Sequence, residues 1–135
     1  MSWDVFVQDF PHNLRMLEEV PATFEPKPIG TRTDVIRCIR GVVPEADFSD
    51  RGWGTLDVPE CRMEIELGDR EELMAFAFHV HGGESAPGVV LKILGRLNLR
   101  AVDNATGLFL DEITAALGFE ACRENRDQLA ASQMN

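Results

Sequence analysis

The sequence predicts an α+β fold, a single two-layer domain in which a mainly antiparallel sheet carries two principal helices packed on one face. Three observations predict it. Several segments alternate apolar and polar residues as strands do, two segments repeat apolar residues at helical spacing, and their order is β, α, β, β, α and then a small hairpin. Because the helices would cover one face, we expect the other face of the sheet to be open.

The amino-terminal part contains one strand, a long loop and one helix. Residues 3–10 alternate well enough for a strand, and residues 12–30 carry three prolines without a sustained period, which indicates an ordered loop. Either Thr31 or Thr33 provides the N-cap of a helix that continues, with apolar residues at helical spacing, to about Val42.

The central part is expected to form three strands. Residues 53–58 make a short strand after a turn-rich link, Cys61 to Leu67 alternate strictly, and Leu73 to His81 form the third strand, which ends in the sequence AFAFHVHGG. Every second side chain of a strand shares a face. The phenylalanines of this third strand should therefore face the helices, and its histidines should face the opposite side.

The last part contains a helix, a hairpin and the start of another helix. Pro87 suits the first turn of a helix, where its missing N–H would be unpaired anyway, and the apolar stripe continues to about Asn98. The turn sequence DNATG between two short apolar runs predicts the hairpin. A third helix is expected from Asp111.

The length and composition fit one domain. The chain has 135 residues, 44% of them hydrophobic and 27% charged, which is enough to enclose a core without disulfides. We expect residues 1–118 to form this α+β domain. Residues 119–135 should form a polar C-terminal tail that is partly helical or loosely ordered, because the apolar pattern thins there.

The net charge limits the partners. With 23 acidic against 13 basic residues the net charge is −10, and such a field repels the phosphates of nucleic acid and of anionic membranes. We therefore expect no nucleic acid and no membrane as partner, and a basic protein is favoured instead.

Two features predict a cytoplasmic location, and the cysteine pattern indicates reduced thiols. No apolar run approaches the roughly 20 residues needed to cross a bilayer. The beginning, MSWDVFVQDF, lacks the basic residues of a secretory signal. Cys38, Cys61 and Cys122 are odd in number and far apart, which favours reduced thiols over disulfides.

His79 and His81 mark the most informative surface. If the apolar residues of the second central strand are buried, the hairpin register places Arg62, Glu64 and Glu66 on the histidine side. Imidazole and carboxylate groups are standard metal ligands, so His79 and His81 are candidates, but the pair lacks a third ligand and no metal site is predicted. Solvated cross-strand pairs or a partner-binding surface would give the same pattern.

No sequence motif identifies a reaction. HGGESAPG leads into a helix N-terminus but lacks the GxGxxG spacing and a Walker lysine, and no GxSxG is present. No catalytic residue and no cofactor are therefore predicted.

Several word-like segments occur together along residues 1–112: MSWDVFVQDFP, PIGTR, EADFSDRGWG, FAFHVHGG and LNLRAVDNATG. In these the chain resembles a family of small bacterial proteins that begin MSWD(V/I)FVQD, a family with no assigned activity. The resemblance implies a bacterial, cytoplasmic protein with a self-contained fold. It brings no cofactor and no residue role.

The sequence favours a non-enzymatic protein-binding module over an enzyme. An acidic surface would neutralise a basic partner by electrostatic complementarity, and an immunity protein that blocks a bacterial toxin is one form of this function. Trp53, between two glycines, is the candidate anchor because exposed tryptophan often dominates interface energy; the alternative is a core residue at a strand start. The expected partner surface consists of Trp53, Arg62, Glu64, Glu66, His79 and His81.

The alternative function is a small metal-dependent or acid–base enzyme that uses the strand face of His79 and His81. The sequence leaves open whether the protein is a monomer or a homodimer.

Overall fold

The computed structural model describes residues 2–133 of the chain. Its strands are β1 (Trp3–Gln8), β2 (Gly30–Thr31), β3 (Trp53–Val58), β4 (Cys61–Glu66), β5 (Glu72–Leu73), β6 (Ala75–Gly82) and β7 (Arg100–Asp103). Its helices are α1 (Arg32–Val42), α2 (Ala86–Leu97) and α3 (Glu112–Gln133), and a short 3-10 helix covers Leu17–Glu19.

The main sheet has five strands in the order β3-β4-β6-β1-β7, and every neighbouring pair in it is antiparallel. β2 and β5 form a separate two-stranded ladder. The molecule is therefore an α+β domain with a mainly antiparallel sheet, which confirms the predicted fold class. The order places the amino-terminal strand β1 inside the sheet, between β6 and β7.

One face of the sheet packs against the helices and forms the core. Phe76 and Phe78 of β6 are buried on this face, as the alternation predicts. α1 contacts α2, α2 contacts β4 and β6, and α3 contacts α2 and β1. All three helices therefore belong to the helical layer, for which the sequence indicated two principal helices.

Local chemistry sets the ends of the first two long helices. Oγ1 of Thr31 accepts a hydrogen bond of 3.1 Å from the N–H of Asp34, so Thr31 rather than Thr33 caps α1. Pro87 lies in the first turn of α2, and Asn98 ends that helix in the left-handed conformation with φ of 54°. Within residues 2–133, no helix is both long enough and apolar enough to cross a membrane.

The third helix continues past residue 118, where the sequence placed the end of the packed domain. Oδ1 of Asp111 accepts hydrogen bonds of 2.8 Å from the N–H groups of Ile113 and Thr114, which fixes the start of α3. Phe119 is buried, and its ring contacts that of Trp3 edge-on at a centroid distance of 5.8 Å. The helix therefore still packs on the core beyond Gly118.

Two predicted strand elements are shorter in the structure than the sequence indicated. Leu73 pairs with Gly30 in the β2–β5 ladder, so the long strand begins only at Ala75. The DNATG hairpin is short, with one bridge between Val102 and Phe109, because β7 forms its longer ladder with β1.

The second face of the sheet is open only in part. At the β7 end, Phe10, Val102 and Phe109 form a small second cluster, and Leu14 and Val20 from the long loop pack against it. This packing explains why a loop rich in proline is ordered. The exposed part of the face is therefore formed by β3, β4, β6 and β1.

Candidate functional site

Side chains on the open face form rows that run across the strands. The pairing register places four residues in the first row, namely Trp53, Glu66, Ala77 and Phe6. It places four others in the next row, namely Thr55, Glu64, His79 and Asp4. Each strand contributes one residue to each row, and successive rows take every second residue of a strand. Residues far apart in sequence therefore become neighbours on this face.

His79 lies at the centre of a hydrogen-bonded group. Its Nδ1 is 2.8 Å from Oδ1 of Asp4, and its Nε2 is 2.9 Å from Oε2 of Glu66. Oγ of Ser2 also donates to Oδ1 of Asp4, at 2.5 Å. Ionised carboxylates only accept hydrogen bonds, so an imidazole that bonds to both must donate from both nitrogens, as the protonated ring does. We call Asp4, His79 and Glu66 the His79 cluster.

The pKa of His79 lies above the ordinary histidine value of 6.5. Partial burial by itself lowers this pKa, but the hydrogen bonds and negative charges of Glu66 and Asp4 outweigh it. The side chain of His79 is 27% exposed, and those of Asp4 and Glu66 are 41% and 49% exposed. Water therefore screens these ion pairs, and their contribution to stability is modest.

The second histidine forms a separate pair. Nε2 of His81 lies 2.8 Å from Oε1 of Glu64. A register shift next to Arg62 places that residue opposite Gly82, where its guanidinium lies close to the glycine and lines a different depression near the start of α2. The structure thus brings both histidines and both glutamates together and leaves Arg62 apart from the His79 cluster.

Trp53 is a surface residue on the same face. It is 38% exposed, and its ring centroid lies 6.0 Å from that of His79 with 33° between the planes. Phe6, in the same row, is also 38% exposed. Exposed aromatic rings therefore lie on both sides of Glu66, and the alternative of Trp53 as a core residue does not apply.

A cavity of about 370 Å³ opens beside His79. Ala75 and Ala77 line its base, while Phe6 and Glu66 stand on the neighbouring strands. On this face β6 presents two alanines followed by two histidines. The space therefore exists because the small alanine side chains leave open what the imidazoles fill further along the strand.

Sequence reasoning missed Asp4 and Phe6 as site residues. The alternation of β1 placed both on the face opposite Val5, but nothing in the sequence indicated that β1 pairs with β6. Ala75 and Ala77 did indicate a depression in this face, because they share the face with the histidines and their side chains are much smaller.

Cys61 and Cys38 do not contribute a nucleophile to this face. Cys61 is buried on the core side of β4, and burial, followed by the charge of Glu60, raises its pKa to about 11. Burial also raises the pKa of Cys38, although the charge of Arg96 acts in the opposite direction. All three cysteines are free thiols. A thiol with a raised pKa carries little thiolate at neutral pH.

Within residues 2–133, no group of three or more His, Cys, Asp and Glu side chains is arranged to hold a metal ion. The candidate His79 bonds instead to the carboxylates of Asp4 and Glu66. His81 bonds to the carboxylate of Glu64.

Comparison of the chain with protein-family models, with curated proteins and with solved structures gave no match in any of the three. The resemblance to the MSWD(V/I)FVQD family therefore stays a prediction.

Proposed function

We propose that the protein is a small acidic module that binds a basic protein through the open face of its sheet. One observation carries the proposal: the carboxylates of Asp4, Glu64 and Glu66 lie on this exposed face together with Trp53 and Phe6. Such a surface combines attraction for cations with aromatic area that can be buried on binding.

Charge acts on both the rate and the selectivity of this association. The net charge of −10 attracts a basic partner at a distance, and the carboxylates on the open face orient it. Arginine and lysine also interact with the faces of aromatic rings, which Trp53 supplies. An immunity-type function, in which the partner is a basic toxin, is one form of this proposal.

The test uses a short peptide of alternating arginine and serine and a matched peptide of glutamate and serine. Calorimetry should detect binding of the basic peptide only, and NMR should map it to the indole N–H of Trp53 and to neighbouring strands. The double variant Glu64→Gln/Glu66→Gln should bind it roughly twofold to thirtyfold more weakly, since an exposed ion pair contributes about 0.2–1 kcal/mol.

A matched control removes two exposed carboxylates elsewhere. Glu45 lies beside α1 and Glu120 on α3, so Glu45→Gln/Glu120→Gln changes the net charge equally without altering the open face. Equal weakening in both double variants would mean that the peptide responds to net charge alone, and the proposed surface would then be wrong.

An acid–base enzyme is the second candidate, because His79 lies beside a cavity with two carboxylates. A general base needs a ring nitrogen that can reach the substrate, whereas both nitrogens of His79 bond to carboxylates. The geometry therefore supports binding better. Hydrolysis of generic ester or phosphoester substrates that persists through purification and disappears in His79→Ala would favour the enzyme.

A further inference from the structure

The cavity on the open face has two chemically different ends. One end is apolar and is formed by Ala75 and Ala77 of β6. The other end carries the carboxylates of Asp4 and Glu66 on either side of His79. A ligand that fills such a space has a slender apolar stem and a cationic head.

Each carboxylate of the cluster has one oxygen to which no residue within 2–133 donates a hydrogen bond. His79 bonds to Oδ1 of Asp4 and to Oε2 of Glu66. No residue of the described part of the chain donates a hydrogen bond to Oδ2 of Asp4 or to Oε1 of Glu66. The polar end of the cavity can therefore accept further N–H donors.

We propose that this cavity holds an arginine side chain of the basic partner, with its methylenes over Ala75 and Ala77 and its guanidinium at Asp4 and Glu66. This inference rests on the proposed function and names the anchor residue that the partner supplies. It depends on the concave shape and the apolar base as much as on the carboxylates, because an acidic surface alone would accept any cation.

Arginine fits this space better than lysine for two reasons. The imidazole of His79 already shows that a flat group with donors on opposite sides can connect the two carboxylates, and a guanidinium is likewise planar with several fixed donors. Phe6, two residues from Asp4 on β1, also lines the cavity, and guanidinium groups stack on aromatic faces.

Occupation by arginine competes with protonation of His79, since both place positive charge between the same carboxylates. The charged and titratable groups that face His79 are Asp4 on β1, Glu64 and Glu66 on β4, and His81 on β6. Binding of the arginine should therefore release a proton from His79 and strengthen as the pH rises through the pKa of that residue. A lysine or arginine bound elsewhere on the face would not have this linkage.

The experiment fills the cavity without changing charge. Ala77→Leu places a leucine side chain on the cavity base, and Thr55→Leu places a leucine side chain on the same face outside the cavity. We expect Ala77→Leu to weaken the arginine–serine peptide about tenfold or more, the size of one lost charged hydrogen-bonding contact. The Thr55→Leu variant should stay within about twofold of the wild type. A lysine–serine peptide should bind the wild type more weakly and show little response to Ala77→Leu.

A second measurement has its main readout in the wild-type protein, so that readout does not depend on how a variant folds. In protein labelled at alanine methyl carbons, Nα-acetyl-arginine methylamide should shift the signals of Ala75 and Ala77, and the shift should grow with pH. In His79→Gln this pH dependence should disappear, whereas His81→Gln should retain it. Unmoved Ala75 and Ala77 signals at saturating probe would overturn the inference.

The outcomes separate this inference from the broader function. If the basic peptide requires Glu64 and Glu66 but ignores Ala77→Leu, the binding face stands and the arginine site is wrong. If the arginine probe shifts the two alanine signals but the basic peptide is not preferred over the acidic one, the cavity site stands and the proposed protein-binding function is wrong.

Discussion

Asp103 is a buried carboxylate that holds the end of β1 from which Asp4 projects. It is 2% exposed, its Oδ2 accepts a hydrogen bond of 2.9 Å from Nε1 of Trp3, and its Oδ1 accepts one of 2.8 Å from the N–H of Ala105. Trp3 and Asp4 are consecutive residues on opposite faces of the sheet. The bond that fixes Trp3 in the core therefore also fixes the backbone that presents Asp4 to His79.

Asp103→Ala removes both acceptors and should destabilise the fold. Each buried donor left unpaired costs about 1–3 kcal/mol, so two donors give about 2–6 kcal/mol. Because Ala105 is exposed and its N–H can turn toward water, we expect the lower part of this range, about 2–4 kcal/mol. Asp103→Asn presents an acceptor to only one of the two donors and should cost about 1–3 kcal/mol.

Urea denaturation followed by circular dichroism measures the effect. With a slope of about 1–3 kcal/mol/M, a loss of about 3 kcal/mol moves the midpoint by roughly 1–3 M. Asp57→Asn is the matched control, since Asp57 is an exposed carboxylate on the edge strand β3 and should change stability by about 0.5 kcal/mol or less. A midpoint for Asp103→Ala equal to that of the control, at unchanged slope, would refute the argument.

Further measurable effects are expected at His79, Cys61 and Gly118. Because the pKa of His79 is raised, the folded state binds the proton of this residue more tightly than the unfolded state does. The stability that His79 contributes should therefore be fully present below about pH 6.5 and be lost as the pH rises through the folded-state pKa. Melting curves of the wild type and of His79→Gln would contradict this if the difference between them grew with pH. Cys61, with a pKa of about 11, should resist iodoacetamide at about pH 8 in the native protein and should react with it in urea. Rapid labelling of the native protein, detected by mass spectrometry, would count against the burial of this thiol. Gly118→Ala would push a methyl group into Oδ2 of Asp103 and should cost about 1–3 kcal/mol by urea denaturation, whereas a neutral result would show that α3 can move.

The sequence predicted which way the central side chains point. The alternation of apolar and polar residues in 61–67 and 75–82 indicates which side chains are buried, because one face of an antiparallel sheet packs on the core and the other faces solvent. The buried phenylalanines and the histidines on the opposite face of β6 were therefore predictable before the position of any neighbouring strand was known. Helix starts at Thr31 and Pro87 were predictable for a similar reason, since capping is local chemistry.

Strand order was not predictable, and the candidate site depends on it. Asp4 and His79 are 75 residues apart, and they bond only because β1 pairs with β6 in the register that sets them opposite each other. The alternation of β1 suits an edge or an internal position equally well. The same limit applies to Asp103, whose turn contact to Ala105 is local while its bond to Trp3 spans 100 residues.

The binding proposal consequently depends more on β1 than on the histidines that first marked this surface. Without β1 beside β6, His79 would keep its hydrogen bond to Glu66 but lose the one to Asp4. The side of the cavity that Phe6 lines next to Ala75 and Ala77 would also be missing. Two cross-strand pairs between histidine and glutamate would then remain, which is the solvated arrangement that any exposed sheet can carry. The observed order brings concavity and paired carboxylates together, and these two properties distinguish the proposed site for a cationic side chain from an ordinary acidic surface.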